Sequence, residues 1–215
     1  MKTLIALLCI SSVCLNSISQ TYNIGTITHT SGTSGLSAID ANFEDSRVQY
    51  LYSAAELSAS GMPSNFEIQS FHMALQELPG ADMNSFTISM KNTTTDSYSA
   101  TPSFDDGLTT VYTSGTIVPS DFTVNVWKEF DLQTSFTWDG TSNLLIQICF
   151  DNPTGAAFAD QGVIYGYLDG DGQNRSSFQV ADGASGCSLS AGNVSVFKPY
   201  IGLEKLCTTP DVSYQ

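Results

Sequence analysis

The stretch Trp138-Asp139-Gly140-Thr141-Ser142-Asn143-Leu144-Leu145-Ile146-Gln147-Ile148-Cys149-Phe150 decides the fold class. Leu144 to Phe150 is a short, almost continuous apolar run, which reads as a central strand buried on both faces. Trp138-Asp139-Gly140 before it is a turn signal. Working outward, period-2 alternation recurs on both sides. "FEIQSFHMAL" sets Phe66, Ile68 and Ser70 on one face and then drifts apolar through Phe71, Met73 and Leu75. "SFTISMKN" alternates Phe86, Ile88 and Met90 against Thr87, Ser89 and Lys91, and "VNVWKEFDL" alternates imperfectly through Val124, Val126, Lys128, Phe130 and Leu132. Weaker strands are expected at 22–29, 48–52, 110–118, 162–168, 177–180 and 196–203, separated by turn signals such as Leu78-Pro79-Gly80 and Asp169-Gly170-Asp171-Gly172. One helix is expected, near residues 53–60: Ser53 with Glu56 three residues on has capping-box spacing, and Gly61 and Pro63 end it. About ten short strands and one short helix predict an all-β, antiparallel, jelly-roll-like sandwich, with a closed barrel as the second choice. A parallel βαβ fold lacks its crossover helices.

The 215 residues suffice for one domain, and the 41% hydrophobic and 11% aromatic content suffices for a core. Seven Lys and Arg against 21 Asp and Glu give a net charge of −14. That excludes a nucleic-acid surface, which must displace counterions with basic groups, and docking on anionic lipid. Lys2 followed by the apolar run Leu4–Ile10 and small residues at Ser17 and Ser19 reads as a signal peptide, 1–19, cleaved before Gln20. The expected organisation is then a sandwich domain at 20–205, with 206–215 a linker or the start of a following module. No later run has the roughly 18 apolar residues of a membrane span.

Cys9 and Cys14 fall in the signal segment, which leaves Cys149, Cys187 and Cys207. In an exported protein thiols tend to pair. Cys149–Cys187 is the preferred bridge; Cys187–Cys207, or three free thiols, are the alternatives.

The chemistry-bearing motifs are sparse. HExxH, GxSxG, CxxC, a phosphate loop and a dinucleotide glycine pattern are all missing, and there are 2 histidines, His29 and His72, the latter read as a strand residue rather than a base. The loop "LDGDGQN" groups Asp169, Asp171 and Asn174, oxygen donors of the kind Ca2+ takes, although its glycine and Gln173 break EF-hand spacing. An Asp-Gly turn is the simpler reading. "SFDDGLTT" with Asp105 and Asp106 is a weaker version of the same idea. Among aromatics, Tyr165 and Tyr167 share one strand face, and Trp127 and Trp138 are the isolated candidates for stacking on a sugar. Trp127, inside an alternating strand, is expected in the core. Trp138 beside Asp139 is the better binding candidate.

Several stretches taken together resemble one family. "VQYLYSAAELSASGM", "SFTISMKNTT", "GLTTVYTSGT", "FTWDGTSNLLIQICFDN" and "VADGASGC" follow, in order, the pattern of an N-terminal β-sandwich module of multidomain Bacteroidetes proteins exported by type IX secretion. The resemblance runs from about Thr21 to Leu203 and implies a surface-exposed accessory module followed by further domains. It carries no catalytic residues. The expected function is therefore non-catalytic: adhesion or substrate targeting through binding of polysaccharide or a surface protein by loops at one end of the sandwich. The rival readings are a structural spacer that displays other domains and a hydrolase using two carboxylates.

Overall fold

The computed structural model describes residues 19–32, 35–155 and 161–206. The expected signal segment lies almost wholly outside these residues, as do Cys9, Cys14 and Cys207. In chain order the strands are β1 (Gln20–Ile24), β2 (His29–Thr30), β3 (Asp45–Tyr52), β4 (Phe66–Glu77), β5 (Met83–Thr93), β6 (Thr109–Ile117) and β7 (Trp127–Trp138). They continue with β8 (Asn143–Asp151), β9 (Val163–Leu168), β10 (Ser176–Ala181), β11 (Asn193–Ser195), β12 (Phe197–Pro199) and β13 (Ile201–Lys205). The one α-helix, α1 (Ala54–Ala59), has the expected capping box: Ser53 Oγ accepts from the Glu56 amide while the Glu56 carboxylate accepts from the Ser53 amide.

The strands form two antiparallel sheets packed face to face, an all-β sandwich. The six-stranded sheet runs β11-β10-β3-β8-β5-β6; the seven-stranded sheet runs β1-β13-β4-β9-β12, with β2 on β9 and β7 on β4. The chain crosses repeatedly between them, so the core forms from distant segments: Tyr50, Tyr52, Ile146, Ile148 and Phe86 from one sheet meet Ile68, Phe71, Phe130, Ile201 and Leu203 from the other. Burial of this apolar surface is the main favourable term in folding.

The two-sided burial of β8 has a specific cause. Its inner residues Leu144, Ile146, Ile148 and Phe150 face the core, while Leu145 is covered on the outside by Tyr98, from the segment after β5. Gln49 anchors that cover: its amide donates to the Asp105 carbonyl, and its oxygen accepts from the Tyr98 hydroxyl. Cys149, also on this outer face, is bonded to Cys187 in a 3-10 turn, so the preferred bridge is the one present. A loop of 38 residues closed this way lowers the entropy of the unfolded chain by an amount equivalent to about 4 kcal/mol. Gly186 beside it touches the Phe150 carbonyl so closely that no side chain fits.

The drift in the "FEIQSFHMAL" pattern is a register shift. Between Ile68 and Ser70 the pairing of β4 with β7 slips, after which Phe71, Met73 and Leu75 point inward instead of the even-numbered residues. Such an irregularity re-aims side chains. Here it turns Ser70, His72 and Ala74 onto the outer face of the seven-stranded sheet.

Candidate ligand-binding face

Trp138 is wholly buried, and its indole N–H donates to the Ser142 carbonyl at 2.7 Å. It offers no face to a ligand, which corrects its expected binding role. Asp139 next to it is a turn residue. One oxygen accepts from the Ser142 and Thr141 amides, both at 2.7 Å, and the other accepts from the Ser142 hydroxyl. Those hydrogen bonds, the Ser142 amide foremost, hold the carboxyl at a pKa of about 2. Gly140 has φ +89°, and a Cβ there would lie 2.3 Å from Ser64 Cβ. Asn143 completes the motif by accepting from the Ala54 amide at the start of α1. The most distinctive stretch of the sequence is thus structural from end to end.

The "LDGDGQN" loop carries its own cations. Asp169 lies 3.0 Å from the Arg175 guanidinium and 2.9 Å from the Lys198 ammonium, and Asp171 lies 2.6 Å from Arg175. Lys198 is fully buried and also bridges Glu56 of α1 at 2.6 Å. Burial raises the pKa of Asp169, but the Lys198 and Arg175 charges outweigh it and the net direction is down. Asn174 donates to the Tyr98 carbonyl rather than offering its oxygen inward. Protein cations thus pair with both carboxylates of the loop, and Asp169 and Asp171 belong to an ion-pair cluster with Arg175 and Lys198. Tyr167 belongs to the same cluster: its hydroxyl donates to Glu56 at 2.6 Å and its ring lies 5.2 Å from the Lys198 ammonium. Burial first, and Glu56 second, push its hydroxyl pKa up. In "SFDDGLTT", Asp105 accepts from Thr93 and Thr95, while Asp106 is almost fully exposed.

Of the aromatic residues singled out from sequence, Tyr165 and Trp127 line an open hollow. This hollow, about 260 Å3, lies on the outer face of the seven-stranded sheet and is lined by Ile27, Ala74, Asn125, Trp127, Tyr165 and Tyr200. Trp127 is 36% exposed, contrary to its expected place in the core. Its ring packs on Tyr200 at 4.9 Å between centroids, and the small Ala74 sits opposite it on β4. Tyr165 donates to Asn125, which has φ +62° in the turn leading into β7 and is held there by the Leu75 carbonyl.

Directly opposed residues of antiparallel strands share a face, so the same surface continues in rows beyond Trp127. One row is Asn23, Gly202, His72 and Glu129; the next is Thr21, Glu204, Ser70 and Asp131. His72 Nε2 lies 2.9 Å from Glu204 and 3.9 Å from Glu129, and Ser70 Oγ contacts both His72 Nε2 and Glu129 Oε1 at 3.1 Å. Ser70 and Glu204 meet the same ring nitrogen, and Ser70 is wholly buried, so this is not a nucleophile–base–acid relay. A second hollow of about 350 Å3, lined by Thr21, Asn23, His72 and Trp127, opens beside it. Trp127 therefore lines two neighbouring concavities.

No family model, curated protein or solved structure matches this chain. The face is described by its own geometry. The sequence reading named Trp127 as a stacking candidate but expected it in the core, and it did not single out Tyr200, Asn125, Glu129 or Glu204. One signal was present: Trp127, Glu129 and Asp131 have the opposite parity to Phe130 and Leu132, and so the opposite face of β7.

Proposed function

We propose that this chain is an exported, non-catalytic β-sandwich module that binds carbohydrate, serving adhesion at a cell surface or targeting to a polysaccharide substrate. The observation that carries the reading is the open hollow around Trp127, with Tyr200 and Tyr165 as its other rings and Asn125 at its rim. Aromatic rings take the C–H face of a sugar while amide, hydroxyl and imidazole groups take its hydroxyls. The neighbouring hollow shares Trp127 and adds Thr21, Asn23 and His72 to the same face, whereas two others share none of these rings. One is built on Arg47, Phe104 and serine residues, another on Gln76, Glu77 and Gln161 without any ring. Binding is thus assigned to a sheet face rather than to loops at one end, with Trp127 and Tyr165 set by strands β7 and β9.

The test is a polysaccharide and glycan array probed with the wild type and Trp127→Ala. Binding to at least one glycan class, weakened tenfold or more in the variant, is expected. No glycan bound above background, or equal binding by the variant, overturns the proposal and leaves the display-spacer reading in its place.

A further inference from the structure

We propose that His72, Glu129 and Glu204 form a binding site for a divalent transition-metal ion of zinc type on the outer face of the seven-stranded sheet. The donor set is one imidazole nitrogen and two carboxylate oxygens, which suits zinc; Ca2+ would want six or more oxygens. The three donor atoms lie within 4.8 Å of one another. Ligands at about 2.0–2.2 Å from a tetrahedral ion are roughly 3.3–3.6 Å apart. His72 Nε2 to Glu204 at 2.9 Å is a little short of that, and His72 Nε2 to Glu129 at 3.9 Å a little long. Shifts of a few tenths of an ångström accommodate an ion, and Glu129, with its side chain 48% exposed, is free to make the larger one.

The surroundings support the same assignment. Each donor comes from a different strand of one sheet, β4, β7 and β13, so the spacing is held by backbone pairing. Hydrogen bonds hold both carboxylates in place: Ser70 Oγ donates to Glu129 Oε1 and Thr21 Oγ1 donates to Glu204 Oε2, each at 3.1 Å and each on the oxygen that faces His72. Partners of this kind fix metal ligands. Gly202, opposite His72, leaves the slot in which the ring lies; a Cβ there would come within 3.1 Å of His72 Cβ. The charge balance is also open. Among the described residues neither carboxylate is ion-paired with a lysine or arginine, unlike Asp169 and Asp171. One imidazole nitrogen can supply at most one proton between two carboxylates, and a cation supplies what is missing. The hollow beside Trp127 gives a fourth coordination position access to water or to a ligand oxygen.

The experiment is a calorimetric titration of the protein with Zn2+ near neutral pH, without glycan, on the wild type and on Glu129→Gln, Glu204→Gln and His72→Ala. Co2+ is used in parallel for its visible absorption when four-coordinate. One ion per chain is expected, with affinity reduced at least tenfold in each variant and the cobalt absorption lost. Glu129→Gln alters a half-exposed group and keeps the test valid where the other variants fail to fold. Absence of Zn2+ binding, or binding unchanged in Glu129→Gln, overturns the proposal. Because no sugar is present, its failure is separate from failure of the carbohydrate reading.

Discussion

Trp127 and Trp138 are the first and last residues of the same strand, β7, and they do opposite work. Trp138 is enclosed, its one polar atom satisfied by Ser142, at the end where the Asp139 turn, α1 and the Lys198 cluster pack together. Trp127 stands at an open face beside Tyr200 and His72. The difference is one of parity. Eleven positions separate the two rings, so a regular strand sends them to opposite faces. What each meets there then follows from its neighbour across the sheet: Phe66 at the closed end, Ala74 at the open one. The same contrast holds for charge. At the closed end every carboxylate of the cluster has a lysine or arginine; on the open face two carboxylates share one histidine.

The largest test of this contrast is the pair of tryptophan truncations. Trp138→Ala removes a fully buried ring from a packed core and is expected to cost about 4 kcal/mol. Trp127→Ala removes a surface ring and is expected to cost under about 1 kcal/mol while abolishing glycan binding. Urea unfolding followed by circular dichroism measures both. Equal losses would mean that Trp127 is covered in solution and that the open face is closed.

Next in size is a comparison of charges. Lys198→Met removes a buried ammonium and leaves Glu56 and Asp169 facing each other without it. Breaking a buried pair in this way costs roughly 3–5 kcal/mol. Partial solvent access at Glu56 and the remaining Arg175 partner of Asp169 place the expected loss near 3 kcal/mol. On the open face Glu129→Gln should change stability by less than about 0.5 kcal/mol, because the group is half exposed and screened. If Glu129→Gln were as destabilising as Lys198→Met, the His72 cluster would be part of the architecture rather than a site.

The sandwich was legible because alternation and the apolar run of β8 are local signals. Ser53 and Glu56 announced α1 for the same reason, and the Cys149–Cys187 bridge was the pairing preferred from the expectation of export and from strand context. Glu56 shows where legibility ends. Its capping role is a matter of three-residue spacing, but its partner Lys198 lies 142 residues away and is placed by sheet pairing. Asp169 and Asp171 looked like calcium ligands although Arg175 follows their loop directly; only Lys198 is brought in from a distance, by β12. Trp127 was misplaced because an aromatic inside an alternating strand usually serves the core, although the parity of Val124, Val126, Phe130 and Leu132 sets it on the other face. His72, Glu129 and Glu204 lie on three strands, and no spacing rule links them.

A smaller perturbation bears on the open face alone. Gly202→Ala would gain about 0.5–1 kcal/mol from the more restricted unfolded chain. Against that, the new Cβ meets His72 Cβ at 3.1 Å and Thr21 Cγ2 at 3.3 Å, each on a paired strand. Crowding of that order costs about 1–3 kcal/mol, so a net loss of about 1 kcal/mol is expected, with weaker Zn2+ binding as His72 is displaced. A stability gain with unchanged Zn2+ affinity would show that the slot is not needed.

The smallest effect expected is at Asp139, and its sign depends on pH. Its pKa is lowered from 3.8 to about 2 in the folded chain by the Ser142 and Thr141 hydrogen bonds. A depressed acid contributes stability that is present above the unfolded value and lost as pH falls from about 4 through 2. Asn at 139 keeps an acceptor for the amides but carries no charge. Asp139→Asn should therefore be slightly less stable than the wild type at pH 7, by under about 1 kcal/mol because the group is solvent-screened. The gap between their melting temperatures should close on acidification to about pH 2. Glycan binding should be the same in both, since Asp139 lies in the closed turn with Trp138 and not on the Trp127 face. A gap that stays constant with pH would mean that the carboxylate charge contributes nothing there. Loss of glycan binding in Asp139→Asn would move the ligand back to the turn and undo the distinction between the two ends of β7.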